Sequence, residues 1–230
     1  MKIGLIQTQR FGDVIIALPI AKYFADQGHE VLWPVHADYM SHFEAAAPYV
    51  RFLPIMGTGD LLFEAPMLLL RDQGCEKIFP LYSYLRGEDD KIDKRLAKFL
   101  TFDAYKYAAA GVPFREKWNL SIVRDRAREE ALYREVVKGE PYVCCHLEAS
   151  FAKVTLDPAK LPPVKQIIEI TPRTDCIFDW LMVIERASML VMIDSCYANL
   201  VDQLKLPNRK VFIPKVANPG SPVLAGNWEF

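Results

Sequence analysis

Residues 1–35 read MKIGLIQTQRFGDVIIALPIAKYFADQGHEVLWPV, and their pattern indicates the class of fold. Its short apolar run Lys2–Gln7 predicts a strand, and a turn follows at Thr8–Gly12. Val14–Gln27 then carries apolar residues at helical spacing and ends at a glycine, a residue typical of helix C-termini. Glu30–Pro34 predicts a second strand. Two strands joined by one helix form a parallel pair with a right-handed crossover, so the chain opens with a βαβ unit.

The same alternation continues through the rest of the chain. Further strands are expected at Val50–Ile55, Lys77–Phe79, Tyr142–Leu147, Val164–Ile170, Met189–Ile193 and Lys210–Ile213. Further helices are expected at Ala37–Ala47, Lys91–Ala110, Arg124–Lys138, Asp179–Ala187 and Ser195–Leu204. The apolar run Asp60–Arg71 stays ambiguous because it contains Pro66. Alternation in both halves predicts an α/β fold of two doubly wound lobes, residues 1–138 and 139–230.

The composition narrows the classes of function. Hydrophobic residues make up 51% of the 230 residues and the net charge is −1, which disfavours a dedicated nucleic-acid binder. No apolar stretch approaches the ~20 residues of a membrane span, and the first apolar run is too short for a signal peptide. The five cysteines show no CxxC or CxxH spacing, so we expect reduced thiols without a disulfide framework or zinc site. A cytoplasmic protein is expected.

The first turn between strand and helix carries the first candidate site. In open α/β sheets ligands bind at the carboxyl ends of strands, where a helix start offers unpaired N–H groups to an anion. Gly12 would allow close approach of a ligand, and Asp13 would present a carboxylate unless it is only a helix N-cap. Arg10 lies in the same turn, and His36 and Tyr39 follow the second strand. The absence of GxGxxG and GxxxxGKS disfavours classical dinucleotide and P-loop binding.

A second candidate site follows the apolar strand Met189–Ile193. Asp194 and Ser195 come directly after this strand, at the predicted start of another helix. Backbone N–H groups at such a start suit a diphosphate, although an ordinary Asp/Ser helix cap would have the same sequence.

Polar residues after two other strands extend the second site. Ser150 and Lys153 lie in the loop after Tyr142–Leu147, where Lys153 would either face a phosphate leaving group or remain a solvated surface lysine. Glu169 and Thr171 end the next strand and could reach a ribose or a base edge. His146 lies within an apolar strand and is interpreted as a core histidine.

Two segments resemble the bacterial heptosyltransferases, glycosyltransferase family nine, which have the GT-B fold. Residues 1–35 are similar to that family's opening strand, R-x-G-D-V turn, proline-containing helix and second strand. Residues 189–213, MLVMIDSCYANLVDQLKLPNRKVFI, are similar to its nucleotide-sugar segment, in which a strand leads to D-[ST]-G-x-x-H-L-A. The resemblance implies two Rossmann-like lobes facing a cleft, with the acceptor bound to the first lobe and the sugar nucleotide to the second. It implies no metal and no cofactor beyond the nucleotide-sugar substrate.

The resemblance also implies a role for each candidate residue. Asp13 would be the general base that removes a proton from the acceptor hydroxyl, and Lys153 would steady the donor diphosphate. The expected donor-binding residues are Lys153, Ser150, Glu169, Thr171, Asp194, Ser195, Cys196 and Asn199. The expected acceptor-binding residues are Arg10, Gly12, His36 and Tyr39.

Two departures from the family pattern keep alternatives open. The glycine after D-[ST] is Cys196, and the motif's histidine is Asn199. The first hypothesis is a metal-independent inverting glycosyltransferase acting on a glycan or lipid-linked acceptor. A second is a glycosyltransferase that modifies hydroxymethylated bases in DNA, against which the near-neutral charge counts. A third is a degenerate, non-catalytic nucleotide-binding module, which the two departures favour.

Overall fold

The computed structural model describes residues 1–56, 60–83, 92–149, 152–157, 161–215 and 222–229. The chain divides into two compact units, Met1–Val123 and Arg124–Phe230. Each unit is built around one parallel sheet, so the chain has an α/β fold.

The first unit alternates strands and helices around a four-stranded sheet. Its elements are β1 (Lys2–Ile6), α1 (Phe11–Asp26), β2 (Glu30–His36), α2 (Met40–Phe43), β3 (Val50–Ile55), α3 (Glu64–Asp72), β4 (Lys77–Pro80), α4 (Lys94–Phe99) and α5 (Phe102–Ala110), with 3₁₀ turns at Ala37–Tyr39 and Phe114–Trp118. The strands are parallel in the order β3-β2-β1-β4. The chain builds outward from β1 to β3 and then returns to the other side of β1, so the order reverses between β1 and β4.

The second unit repeats this plan with a five-stranded sheet. Its elements are α6 (Arg126–Val136), β5 (Tyr142–His146), β6 (Glu148–Ala149), β7 (Ala152–Lys153), β8 (Gln166–Glu169), α7 (Leu181–Arg186), β9 (Met189–Ile193), α8 (Cys196–Gln203), β10 (Arg209–Ile213) and β11 (Trp228–Glu229), with a 3₁₀ turn at Ile177–Trp180. The parallel order is β11-β10-β9-β5-β8, and β6 and β7 form a separate antiparallel pair. The order reverses between β5 and β9.

Helix α6 belongs to the second unit. The sequence places the boundary after residue 138, which would leave this helix as a bridge, whereas it packs on α7 and on the preceding 3₁₀ turn. Arg124, just before the helix, lies 2.9 Å from Glu185, and Arg128 lies 2.7 Å from the buried Asp179. These ion pairs tie the helix to α7 and its 3₁₀ turn.

Apolar strands and helix faces form the core of each unit. All five residues of β9 are buried, as expected for a parallel strand covered on both faces. Gly4 in β1 allows α3 to approach closely, because a Cβ at this position would lie 2.8 Å from Leu70 Cδ1. Among the described residues, no helix combines the length and apolar character needed to cross a bilayer.

Several element boundaries differ from those predicted. Helix α1 starts at Phe11 with Arg10 as its N-cap residue, so the alternative that Asp13 caps the helix is wrong. The predicted helix over residues 91–110 is two helices, because Asp93 caps α4 and Leu100 is extended. Pro66 lies in the first turn of α3, where a missing N–H breaks no helical hydrogen bond. The short strand β11 was not predicted.

Candidate functional sites at the two sheet reversals

The carboxyl ends of β1 and β4 meet at the reversal of the first sheet, the position where open α/β sheets bind ligands. Gln7 and Thr8 follow β1, and both are buried although they are polar. Thr8 Oγ1 donates its proton to the Leu61 carbonyl at 2.8 Å. The Tyr82 hydroxyl lies 2.9 Å from Thr8 Oγ1 and therefore donates to Thr8 Oγ1. The Thr8 amide in turn donates to Tyr82 Oη at 2.8 Å. Burial raises the pKa of Tyr82, which keeps this donor protonated.

A buried lysine completes this site. Lys106 from α5 is 2% exposed, and its ammonium donates to Gln7 Oε1 at 2.6 Å and to the Leu81 carbonyl at 3.1 Å. Its third neighbour is Asp13 Oδ1 at 2.8 Å, from a carboxylate whose side chain is 20% exposed. The predicted catalytic residue is therefore accessible at one side and held by a buried cation at the other.

The start of α1 carries the predicted acceptor residues. Arg10 is exposed and has φ 67° and ψ 103°, a backbone conformation that costs a non-glycine residue about 1–3 kcal/mol. Its amide donates to Tyr39 Oη at 3.1 Å. Phe11 stacks on Tyr39 with ring centroids 4.0 Å apart, and His42 meets Phe11 edge-on at 4.6 Å. A half-buried aromatic surface therefore lies beside the strained Arg10.

His36 and Gly12 lie in the same region. His36 ends β2, its amide donates to the Thr8 carbonyl at 2.9 Å, and its ring lies 6.1 Å from that of Tyr39. Gly12 lies in the first turn of α1, next to Asp13. The structure thus brings the four predicted acceptor residues and Asp13 to one edge of the first sheet.

The reversal of the second sheet is bridged by a histidine and a serine. His146 ends β5 and Ser195 follows β9 as the N-cap residue of α8. His146 Nδ1 lies 2.9 Å from Ser195 Oγ, and the imidazole meets the Tyr197 ring edge-on at 4.8 Å. Burial lowers the pKa of His146 to about 4, with Lys215 adding to and Glu148 opposing the effect. The imidazole is therefore neutral at pH 7.

The motif residues of α8 lie around this pair. Asp194 is buried, and its amide donates to the Ile213 carbonyl at 2.9 Å. Burial raises the pKa of the Cys196 thiol to about 12, which leaves this side chain uncharged. Asn199 is 3% exposed, and its amide nitrogen donates to the Ser195 carbonyl at 3.0 Å. Its Oδ1 is buried and accepts no hydrogen bond from a described residue.

The remaining predicted donor residues lie toward the surface. Lys153 on β7 pairs with Glu148 across the β6–β7 hairpin at 2.9 Å, and both side chains are largely exposed. The hydrogen bond that Lys153 donates to Glu148, together with the charge of that carboxylate, raises the pKa of Lys153, and the Glu169 carboxylate raises it further. Glu169 ends β8 next to β5, and Thr171 follows it, both exposed. Ser150 lies outside the described residues.

Sequence reasoning missed the buried polar residues of both sites. Lys106 and Gln7 are far apart in the chain, and an isolated lysine in a helix has no pattern that distinguishes it from a surface lysine. His146 was interpreted as a core histidine. The signal that could have found it is its place as the last residue of a strand, next in the sheet to the strand that ends before Asp194.

Metal binding receives no support from the described residues. They contain no group of three or more His, Cys, Asp or Glu side chains arranged to hold an ion. The expectation of a metal-independent site stays a prediction.

Comparison with known proteins rests on structure alone. No protein-family model matches the sequence, and no curated protein matches it by sequence. The iron-containing dodecameric glycosyltransferase TibC from enterotoxigenic Escherichia coli aligns with 100% of the chain at 13% identity and a TM-score of 0.58. The structure of TibC in complex with ADP-D-β-D-heptose aligns with a TM-score of 0.60 at 13% identity. The chain spans 62% of TibC.

In two further structures the alignment with this chain covers a larger share of the other protein than it does in TibC. A family 9 glycosyl transferase from Veillonella parvula aligns with 95% of the chain and 82% of its own length, at 11% identity and a TM-score of 0.60. The E. coli ADP-heptose lipopolysaccharide heptosyltransferase II aligns with 100% of the chain and 89% of its own length, at 12% identity and a TM-score of 0.54. The chain has the fold of these glycosyltransferases. The resemblance seen in residues 1–35 and 189–213 is thus confirmed at the level of the fold.

Proposed function

We propose that the chain is a metal-independent, inverting glycosyltransferase of the GT-B type. The observation that carries the proposal is the accessible carboxylate of Asp13, held at the reversal of the first sheet by a buried ammonium. Fold likeness alone does not define a reaction. A fixed, partly exposed carboxylate at the ligand-binding edge of the sheet supplies the group that proton abstraction requires.

The proposed reaction is a single displacement. The acceptor hydroxyl oxygen attacks the anomeric carbon of the donor sugar as its proton passes to the Asp13 carboxylate. The bond between the anomeric carbon and the diphosphate oxygen breaks with its electron pair, and the nucleoside diphosphate leaves. Attack opposite the leaving group inverts the anomeric configuration.

The second unit would bind the donor. Amide groups at the start of α8 are suited to the diphosphate, and the exposed Lys153 supports the charge that develops on it. The neutral pair His146–Ser195 adds hydrogen-bonding groups at the same edge. Glu169, the last residue of β8, and Thr171, two residues later, are exposed and would contact a ribose or base.

The first unit would bind the acceptor. Tyr39 and Phe11 form an aromatic surface beside the exposed Arg10, and His36 and Gly12 border it. Such a surface suits a sugar ring, whose C–H groups pack on aromatic faces while its hydroxyls reach polar side chains. Glycans and lipid-linked glycans are the acceptors proposed. All five cysteines are free thiols, which agrees with the proposed cytoplasmic location.

An ADP-linked sugar is the first donor to test, because the structure of TibC holds ADP-D-β-D-heptose. Thermal unfolding of the purified chain is followed with ADP-, UDP-, GDP- and CMP-linked sugars and their free nucleotides. A ligand present at 100 times its Kd stabilises the native state by about 2.7 kcal/mol. The sugar nucleotide that binds is then incubated with the chain, and release of its nucleoside diphosphate is measured with and without sugar acceptors.

The outcomes separate the proposed function from its competitors. Binding with turnover supports a glycosyltransferase. Binding without turnover in the presence of any acceptor favours the non-catalytic module. Cys196 and Asn199, at the glycine and histidine positions of the motif, support that alternative. Turnover only with hydroxymethylated DNA, lost at high salt, favours the DNA-modifying alternative. No binding by a cooperatively unfolding protein contradicts the proposal.

A further inference from the structure

We propose that Lys106 is a positioning residue that fixes the orientation of Asp13 for proton abstraction; this rests on the proposed transferase function. The ammonium of Lys106 has three N–H donors and three oxygen neighbours, Gln7 Oε1, Leu81 O and Asp13 Oδ1, within 3.1 Å. Two of these oxygens accept hydrogen bonds from the ammonium and the third belongs to its ion-pair partner, so the position of the cation is fixed from three sides.

The location of Lys106 points to the site rather than to the core. Its two neutral acceptors lie directly after β1 and β4, the strands between which the sheet order reverses. The third neighbour lies in the first turn of α1. One cation thus joins the ends of both strands to the helix start at the edge where open α/β sheets bind ligands.

The geometry distributes the two carboxylate oxygens of Asp13 between two tasks. Lys106 holds Oδ1, and among the described residues the carboxylate makes no other ion pair. Because the carboxyl group is planar, fixing Oδ1 fixes the plane of Oδ2 as well. The 20% exposure of the Asp13 side chain leaves room for an acceptor hydroxyl. Oδ2 is the oxygen that we assign to the proton.

A second buried lysine in the same unit shows what a structural role looks like. Lys117 pairs with Asp103 at 2.7 Å, and both side chains are 0% exposed. Removing Lys117 would leave a carboxylate that water cannot reach. Removal of Lys106 would leave Asp13, which water does reach, so stability should suffer less at Lys106 than at Lys117. The orientation of the Asp13 carboxylate then gives a reason for burying the charge of Lys106, which has a desolvation cost.

The test compares four proteins: the wild-type chain, Lys106→Met, Asp13→Asn and the double variant. The assay is release of nucleoside diphosphate from the sugar nucleotide that the wild type turns over fastest, among ADP-, UDP-, GDP- and CMP-linked sugars. Lys106→Met should lower kcat by about 10- to 100-fold, the loss expected when a reacting group is misplaced by ~1 Å. The KM for the donor should stay within about twofold, because the donor is proposed to bind the other unit.

The double variant distinguishes a positioning role from a structural one, because a structural role would lower kcat equally in both backgrounds. In the Asp13→Asn background, Lys106→Met should cause no further loss of kcat, since the group that it orients is already gone. Lys22→Met is the matched control, because Lys22 is also a lysine paired with an aspartate but lies at the surface of α1. It should leave kcat, KM and the Tm unchanged.

Defined outcomes overturn the inference. Equal losses of kcat from Lys106→Met in both backgrounds, or an unchanged kcat, would show that Lys106 does not act through Asp13. Should Lys106→Met fail to fold, Lys106→Gln retains a polar group toward Gln7 and Leu81 without the charge, and the same cycle is run with it. A wild type that turns over no sugar nucleotide overturns the proposed function and this inference together. Wild-type turnover that tolerates both Lys106 variants overturns the inference alone.

Discussion

The two sheet reversals carry polar sites of opposite character. At the first, the charged pair Lys106–Asp13 lies between the ends of β1 and β4 and the start of α1. At the second, the neutral pair His146–Ser195 lies between the end of β5 and the start of α8. The same topology therefore presents an ion pair at one edge and uncharged hydrogen-bonding groups at the other.

This difference agrees with the proposed division of roles, in which the first site fixes the reactive carboxylate and the second binds the donor. At the first site the Lys106 ammonium donates hydrogen bonds to Gln7 and to the Leu81 carbonyl and pairs with the Asp13 carboxylate. At the second site Asn199 Oδ1 is buried without a hydrogen bond from a described residue, and the nearby Cys196 thiol is neutral. The His146–Ser195 pair itself carries no charge and offers hydrogen-bonding groups beside the start of α8, where the donor diphosphate is proposed to bind.

The largest expected effect removes the charge of the first site. Asp13→Asn keeps the shape of the side chain but cannot accept the acceptor proton, so kcat should fall by about 10²- to 10⁴-fold. Binding of ADP, measured by calorimetry, should stay within about twofold, because the donor is proposed to bind the second unit. Asp26→Asn, on the exposed end of the same helix, is the control and should retain full activity. Full activity in Asp13→Asn would rule out this residue as the base.

The next effect tests whether the buried charges of the first unit have different roles. Lys117→Met removes the cation that pairs with the fully buried Asp103, and the free energy of unfolding should fall by about 3–5 kcal/mol. Urea unfolding of the variant and the wild type measures it. A loss no larger than that of Lys106→Met would contradict the distinction drawn between the two lysines.

A smaller effect concerns the neutrality of the second site. The pKa of His146 is about 4 in the folded chain and 6.5 for an unperturbed imidazole, so the unfolded state binds the proton more tightly. Stability from this group is therefore present above pH 6.5 and lost as the pH falls toward 4, by about 2–3 kcal/mol. The groups that face the imidazole are Ser195, Tyr197, Glu148 and Lys215.

His146→Gln removes this proton-binding group. The difference in unfolding free energy between variant and wild type should change by about 2 kcal/mol in the variant's favour between pH 7 and pH 4. It should be constant between pH 7 and pH 8, where the imidazole is neutral in both states. Denaturant unfolding at each pH measures the difference. A difference that is the same at pH 4 and pH 7 would contradict the lowered pKa.

The smallest effect tests the second site as a binding site. Ser195→Ala removes one neutral hydrogen-bonding group at the start of α8 and should raise the Kd for ADP by about 3- to 10-fold. Ser188→Ala is the matched control, because Ser188 donates to the Tyr142 carbonyl at the opposite end of β9. Its Kd should be that of the wild type. Equal Kd values for all three proteins would remove Ser195 from the proposed donor site.

Periodic apolar patterns located the elements of both sheets. Val50–Ile55 and Met189–Ile193 are confirmed as strands with the predicted bounds. The second is apolar and buried throughout, as expected for a strand covered on both faces, whereas the first lies at the edge of its sheet and includes exposed residues. The apolar pattern did not predict where some helices begin, because helix starts depend on local capping residues. Asp93 caps a new helix inside the predicted helix of residues 91–110, and α1 begins three residues before Val14 despite the strained Arg10.

Local periodicity and neighbours in the chain are enough to predict the α/β class and the polar residues at the strand ends. The role of Asp13 as the candidate base comes from the resemblance of residues 1–35 to the heptosyltransferases. Only the tertiary structure decided which groups surround these residues. Lys106 meets Asp13 across 93 positions of sequence numbering, from 13 to 106, and His146 meets Ser195 across 49. Such contacts arise when distant strand ends are brought together at a sheet reversal. Local propensity carries no signal for them, since burial and pairing depend on the packing of elements that are remote in the chain.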